Sequence, residues 1–218
     1  MTQLDARTAS GSVRRPARPG HLLLVVGGSA FFASGPLHPQ GTDDGDKTDQ
    51  LHSMLVDPTW YPAHAIAALG FACVAAGLVV LGRDPELRRS LGRLLPVAQV
   101  IAMLGAAGSG VHLFAATQAS AIEDGGTTPL VVVFMGVETL VNPLWGLMIS
   151  ALAVRGGLTR ALGNRLVLAL GVVGGLAFAL ATATIALVDT FDPLFPVAGL
   201  IGLWLVAVGG LGLTLHRT

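Results

Sequence analysis

The chain has 218 residues, of which 52% are hydrophobic and only 12% charged, and its thirteen basic and thirteen acidic side chains cancel to zero net charge. Soluble domains carry about 25% charged residues, so these values exclude a disordered chain, a nucleic-acid binder and an ordinary water-soluble enzyme. With a mean hydropathy of +0.69, the composition implies an all-α, polytopic membrane protein.

Six apolar runs approach or exceed the roughly 20 residues needed to cross a bilayer. Taken in chain order they predict spans over residues 21–36, 62–82, 94–117, 129–154, 165–188 and 194–215, the first being short. The runs lack the apolar–polar alternation of a β-barrel strand. Residues 1–20 are polar and rich in Pro and Arg, and they predict a disordered cytoplasmic tail ahead of a membrane domain over 21–218. Arg14 and Arg15, the apolar run and the small residues Ala33, Ser34 and Gly35 also fit a cleaved signal peptide, which would leave five spans. The segment from Leu37 to Tyr61 reads as a long loop. Its Asp44-Gly45-Asp46-Lys47-Thr48-Asp49 stretch lacks the glycine and glutamate of a calcium-binding EF-hand.

Charge fixes the expected orientation. Twelve of the thirteen basic residues fall before the first run, between runs two and three, between four and five, or after the sixth; Lys47 is the exception. By the positive-inside rule this places both termini in the cytoplasm and predicts a multi-pass protein of the plasma (inner) membrane. The opposite loops hold nine acidic residues and, with the adjoining helix ends, four of the six histidines. Arg89-Ser90-Leu91-Gly92-Arg93-Leu94 resembles Arg160-Ala161-Leu162-Gly163-Asn164-Arg165, which suggests a repeat of two helical hairpins.

Candidate chemistry gathers in the outer leaflet. His38 follows the first run, His64 opens the second beside Trp60 and Tyr61, and His112 lies about five residues, roughly 8 Å, inside the end of the third. Glu138 lies about nine residues, roughly 13 Å, into the fourth, and is the only acidic residue within any run. Such a carboxyl costs about 2.5–3.5 kcal/mol to insert near the bilayer centre, which marks it as a functional candidate. Asn142 shares its helix face at i+4, and Pro143 predicts a kink. Ser109, Gly105 and Gly108 share the His112 stripe, so a neighbouring helix is expected to pack there and His112 to point inward.

Imidazoles and a carboxylate at similar depth suit a transition metal, with His38, His64, His112 and Glu138 as candidate ligands. His64 and His112 alone would suit the axial positions of a haem. Either cofactor would support a redox or enzymatic role, with Glu138 as a ligand or proton acceptor. No His-Glu-x-x-His motif or other contiguous ligand motif supports this, and His64 with Trp60 and Tyr61 also fits an interfacial aromatic belt. Two other classes stay open: a small proton-coupled transporter using Glu138 and His112, and a non-catalytic membrane subunit or sensor. The expected partner is the lipid bilayer. Gly171, Gly174, Gly175, Gly199 and Gly202 offer close packing within the bundle, in a homo-oligomer or against a membrane partner. The single cysteine, Cys73, fits a small buried hydrophobe.

Overall fold

The computed structural model describes residues 17–42, 45–185, 187–188 and 190–215. Residues 1–16 of the expected tail over 1–20 and the candidate loop residues Asp43, Asp44 and Asp189 lie outside the described residues, and residues 17–20 of that tail belong to the first helix. Among the described residues eleven α-helices run in the order α1 Ala17–Leu37, α2 Lys47–Leu55, α3 Trp60–Leu81, α4 Pro85–Leu91, α5 Leu94–Phe114, α6 Ala119–Glu123, α7 Pro129–Gly136, α8 Asn142–Leu158, α9 Arg165–Thr184, α10 Phe195–Ala198 and α11 Leu200–Leu215. Together with the turns that join them they form six stretches long and apolar enough to span a membrane: Arg18–Leu37, Trp60–Leu81, Leu94–Glu123, Pro129–Leu158, Arg165–Thr184 and Asp192–Thr214. All six expected spans are present. The third runs on through a 3₁₀ turn (Ala115–Gln118) into α6, the fourth extends four residues further to Leu158, and the fifth stops four residues earlier, at Thr184.

Glycine lets these helices touch backbone to backbone. A Cβ on Gly28 would lie 2.6 Å from the Gly202 carbonyl oxygen, and one on Gly202 would lie 2.7 Å from that of Gly28. Gly27 and Gly70 form the same reciprocal contact between α1 and α3, and Gly146 and Gly175 form it between α8 and α9. Gly171 accepts the Trp204 indole and Gly174 the backbone of Leu200 and Ile201. The glycine faces of the last two spans are therefore used inside this chain, where small residues permit dispersion contacts that lipid-exposed side chains would block.

One apolar core fills the middle of the bundle and the arginine-bearing end, around Trp145, Ile149, Leu152, Ile201 and Trp204. Phe31, Phe71 and Phe178 ring Trp145 with centroids 5.5, 4.5 and 5.6 Å away. At the arginine-bearing end α4 is capped by Asp84, which accepts from Glu86 N at 2.8 Å, and Arg155 Nε donates to Ser90 O at 2.9 Å. The two stretches of the suggested repeat differ in local structure, although Gly92 and Gly163 at matching positions both take positive φ. Arg89 to Leu91 form the last turn of α4, whereas 159–164 is a turn in which Arg160 and Gly163 take φ of 58° and 119°.

The opposite end carries a second, smaller apolar cluster of Leu55, Trp60, Ala115, Ile122 and Phe134. Part of the expected loop is helical here. Asp46 caps α2 by accepting from Thr48 N and Asp49 N at 2.7 and 3.1 Å, while Asp49 Oδ2 accepts from Asp46 N at 3.0 Å. The acidic stretch is thus a capping box. It turns Leu51, Met54 and Leu55 onto the cluster that contains Trp60. Lys47 reaches Asp192 at 3.7 Å and His52 reaches Glu123 at 3.5 Å, tying α2 to two neighbouring segments. Asp46→Ala is expected to cost about 1 kcal/mol of local stability, read as faster amide hydrogen exchange across 47–55 with the spanning helices unchanged.

Candidate functional site

The fourth span is not a regular helix where it carries Glu138. Pro143 has no amide proton to give the Thr139 carbonyl. The backbone answers with a π turn over Val137–Val141, in which the Asn142 amide bonds Val137 O five residues back. The anticipated irregularity at Pro143 is therefore a π turn just before it, of the kind often found at functional sites. Thr139 Oγ1 donates to Met135 O at 2.7 Å within the same stretch.

The glycine stripe of α5 receives this segment. A Cβ on Gly105 would meet Trp145 at 2.7 Å and one on Gly108 would meet Val137 at 2.9 Å. His112, on the same stripe, therefore points into the bundle, as its neighbours imply. Its Nδ1 is hydrogen-bonded to Glu138 Oε1, and the same oxygen accepts from Asn142 Nδ2 at 3.0 Å. Glu138 is 4% exposed and Asn142 is buried, so this polar group is shielded. Ser109 takes no part; its hydroxyl donates to Ala106 O at 2.8 Å.

Three histidines from three different segments meet here. One ring nitrogen from each of His38, His64 and His112 lies within 4.8 Å of the other two. His38 sits just past the end of α1, His64 on the first turns of α3 and His112 near the end of α5. His64 and His112 stack with centroids 4.4 Å apart, and His38 meets His64 edge-on at 4.8 Å. Trp60, one helical turn before His64, is 1% exposed and lies against both His64 (3.9 Å) and His112 (5.1 Å, planes 7° apart). Its indole N–H donates to Leu113 O at 3.2 Å. Phe134 closes another side, edge-on to His112 at 5.1 Å. Trp60 is a wall of the site, which the belt reading of Trp60 and Tyr61 did not anticipate; the i,i+4 spacing of Trp60 and His64 was the available signal.

Hydrogen bonding fixes the tautomers of His38 and His64. A carbonyl can only accept. His64 Nδ1, 2.6 Å from Trp60 O, and His38 Nδ1, 3.0 Å from Pro39 O, therefore both carry the proton. The His112 Nδ1 partner is a carboxyl oxygen, which can accept or donate, so the same argument does not extend to that ring. In the neutral rings of His38 and His64 the lone pair is left on Nε2. The Nε2 atoms of His38 and His64 face one another at 3.2 Å, and His112 Nε2 is buried with no hydrogen-bond partner. Burial holds the His38 pKa below the ordinary histidine value. That direction favours the neutral imidazole, the form that ligates metals.

His52 lies apart from this group, paired with Glu123. Cys73 is half-buried on α3 and takes no part. No family model, curated protein or solved structure matches the chain.

Proposed function

We propose that this multi-pass membrane protein binds a transition-metal ion through Nε2 of His38, His64 and His112, at the outer end of a plasma-membrane bundle whose termini are cytoplasmic. The orientation rests on the arginine distribution and the depth of the site on the helix positions. The observation that carries the reading is the set of three imidazoles, each bonded at Nδ1 to an oxygen, with a ring nitrogen of each within 4.8 Å of the other two. Metal-bound histidines almost always give their second nitrogen's proton to a carboxylate or carbonyl, which sets tautomer and ring orientation. Two lone pairs facing at 3.2 Å repel unless a cation or proton lies between them.

In this reading Glu138 acts on the metal through His112, and Asn142 holds Glu138. The donor set of three imidazoles with no thiolate suits Zn²⁺, Co²⁺, Ni²⁺ or Cu²⁺ rather than Ca²⁺ or Mg²⁺. A haem between His64 and His112 fits poorly. Axial imidazoles sit with centroids roughly 6 Å apart across the iron, whereas these rings stack at 4.4 Å.

Protein purified in mild detergent, reloaded with Zn²⁺ and freed of excess, is expected to hold about one metal per chain by mass spectrometry; a metal-free protein that remains folded would overturn the reading. Glu138→Gln keeps the shape but weakens the acceptor, and is expected to lower metal affinity by about 10–100-fold in a competition titration against a chelator.

A second reading rests on a separate observation. His38, His64, His112 and Glu138 form one unbroken series of contacts from the bundle end inward, which suits a proton relay in a proton-coupled carrier. For that role Glu138→Gln would stop proton flux in proteoliposomes without altering metal content.

A further inference from the structure

The metal reading has a consequence for coordination number, and the inference here rests on that reading. We propose that the three-histidine centre is an open one. Its fourth coordination position is filled by an exogenous single-lone-pair donor, a water or hydroxide or a small monoanion, rather than by the protein.

The first argument is geometric. With metal–nitrogen bonds of about 2.05 Å, the 3.2 Å between His38 Nε2 and His64 Nε2 corresponds to an angle of about 103° at the metal. That is close to the tetrahedral value and well short of the 120° of a flat three-coordinate site. Two imidazoles at that angle suit adjacent corners of a tetrahedron, and a tetrahedral metal that takes His112 as its third ligand has a fourth corner. The nitrogens of the set lie within 4.8 Å of one another, so binding draws the widest pair in by up to about 1.5 Å to reach tetrahedral spacing.

The second argument is that the described neighbours do not fill that corner. Glu138 is engaged through Oε1 by His112 Nδ1 and Asn142 Nδ2. Trp60 and Phe134, the rings packed against the imidazoles, carry no lone pair to give, and the Trp60 N–H is committed to Leu113 O. Cys73 is elsewhere on α3 and Ser109 is bound to its own helix. The third argument is access on the His38 side, where the ring retains part of its surface, while His64 and His112 Nε2 are buried. Closed four-ligand sites are structural, whereas three protein ligands and an exchangeable fourth mark sites where bound water is activated.

The test is a visible absorption titration of the full-length protein loaded with Co²⁺, whose d–d bands report coordination. Sodium azide is the probe and sodium thiocyanate a second anion. The expected result is a saturable band shift with one azide per cobalt, reversed on dilution. The Glu138→Gln variant should bind cobalt more weakly and show the same shift. Cobalt bound with a spectrum indifferent to both anions overturns the open position and leaves the metal reading standing. An azide response found only in Glu138→Gln also overturns it, by making Glu138 the fourth ligand. A folded protein that takes up no cobalt overturns the metal reading and this inference together.

Discussion

His64→Ala is expected to reduce bound metal from about one per chain to a small fraction, with affinity falling by at least about 100-fold. The expectation is this large because His64 is the hub. Its Nε2 faces His38, its ring stacks on His112, and its Nδ1 is anchored to the helix that also carries Trp60. Removing it leaves two imidazoles that no longer share a nearest neighbour. Because His64 is only 5% exposed, the substitution also opens a cavity beside Trp60 and is expected to lower stability. His38→Ala separates the two effects. His38 sits at the rim, so its loss should spare the fold while removing a ligand. His52→Ala is the control from the same end of the bundle; its imidazole pairs with Glu123, and metal content should not change. Mass spectrometry of reloaded protein, run beside thermal unfolding, reads all three. Full metal occupancy in both His64→Ala and His38→Ala would show that the cluster is not the binding site.

The second large effect lies in the bundle itself. Gly146→Ala is expected to destabilise the protein by about 1–3 kcal/mol, although alanine is the better helix former. The added methyl would lie 2.5 Å from Gly175 O and 2.8 Å from the amide nitrogen of Ala179. These are backbone atoms, so α8 and α9 must separate for the methyl to fit. Gly146→Val should be worse. Gly110→Ala supplies the contrast, because nothing lies within 4 Å of a Cβ at that position. There the substitution should be neutral or stabilising by up to about 1 kcal/mol. Equal melting temperatures for the two alanine variants in detergent would remove close packing as the reason for glycine at 146.

The membrane class and the number of spans were legible because both follow from local composition. A run such as Pro62 to Gly82 is apolar whatever it packs against. The inward direction of His112 was legible for a related reason, since Gly105 and Gly108 on its stripe mark where another helix can approach. The meeting of three histidines was suggested only by similar depth. Separations of 26 and 48 residues between them carry no information until the helices are arranged around one another. The cap helix was missed because Asp44 to Asp49 was weighed as a cation loop. The Asp46 and Asp49 spacing followed by Leu51, Met54 and Leu55 is equally the signature of a capped amphipathic helix. Trp60 was missed because an aromatic residue at a span end has an ordinary explanation in the bilayer interface, and only its burial distinguishes a wall from an anchor.

The π turn above Pro143 changes the angular bookkeeping of the fourth span. An α-helix advances 100° per residue, so one surplus residue between two contact points offsets the halves on either side by about that angle. The half bearing Phe134 and Glu138 is thereby set in rotation independently of the half bearing Trp145, which is locked among Phe31, Phe71 and Phe178. The bundle's rigid middle and its polar end are thus held in different phases by one continuous helix. The surplus residue is what lets a carboxylate face the imidazoles without dragging the indole out of its ring of phenylalanines.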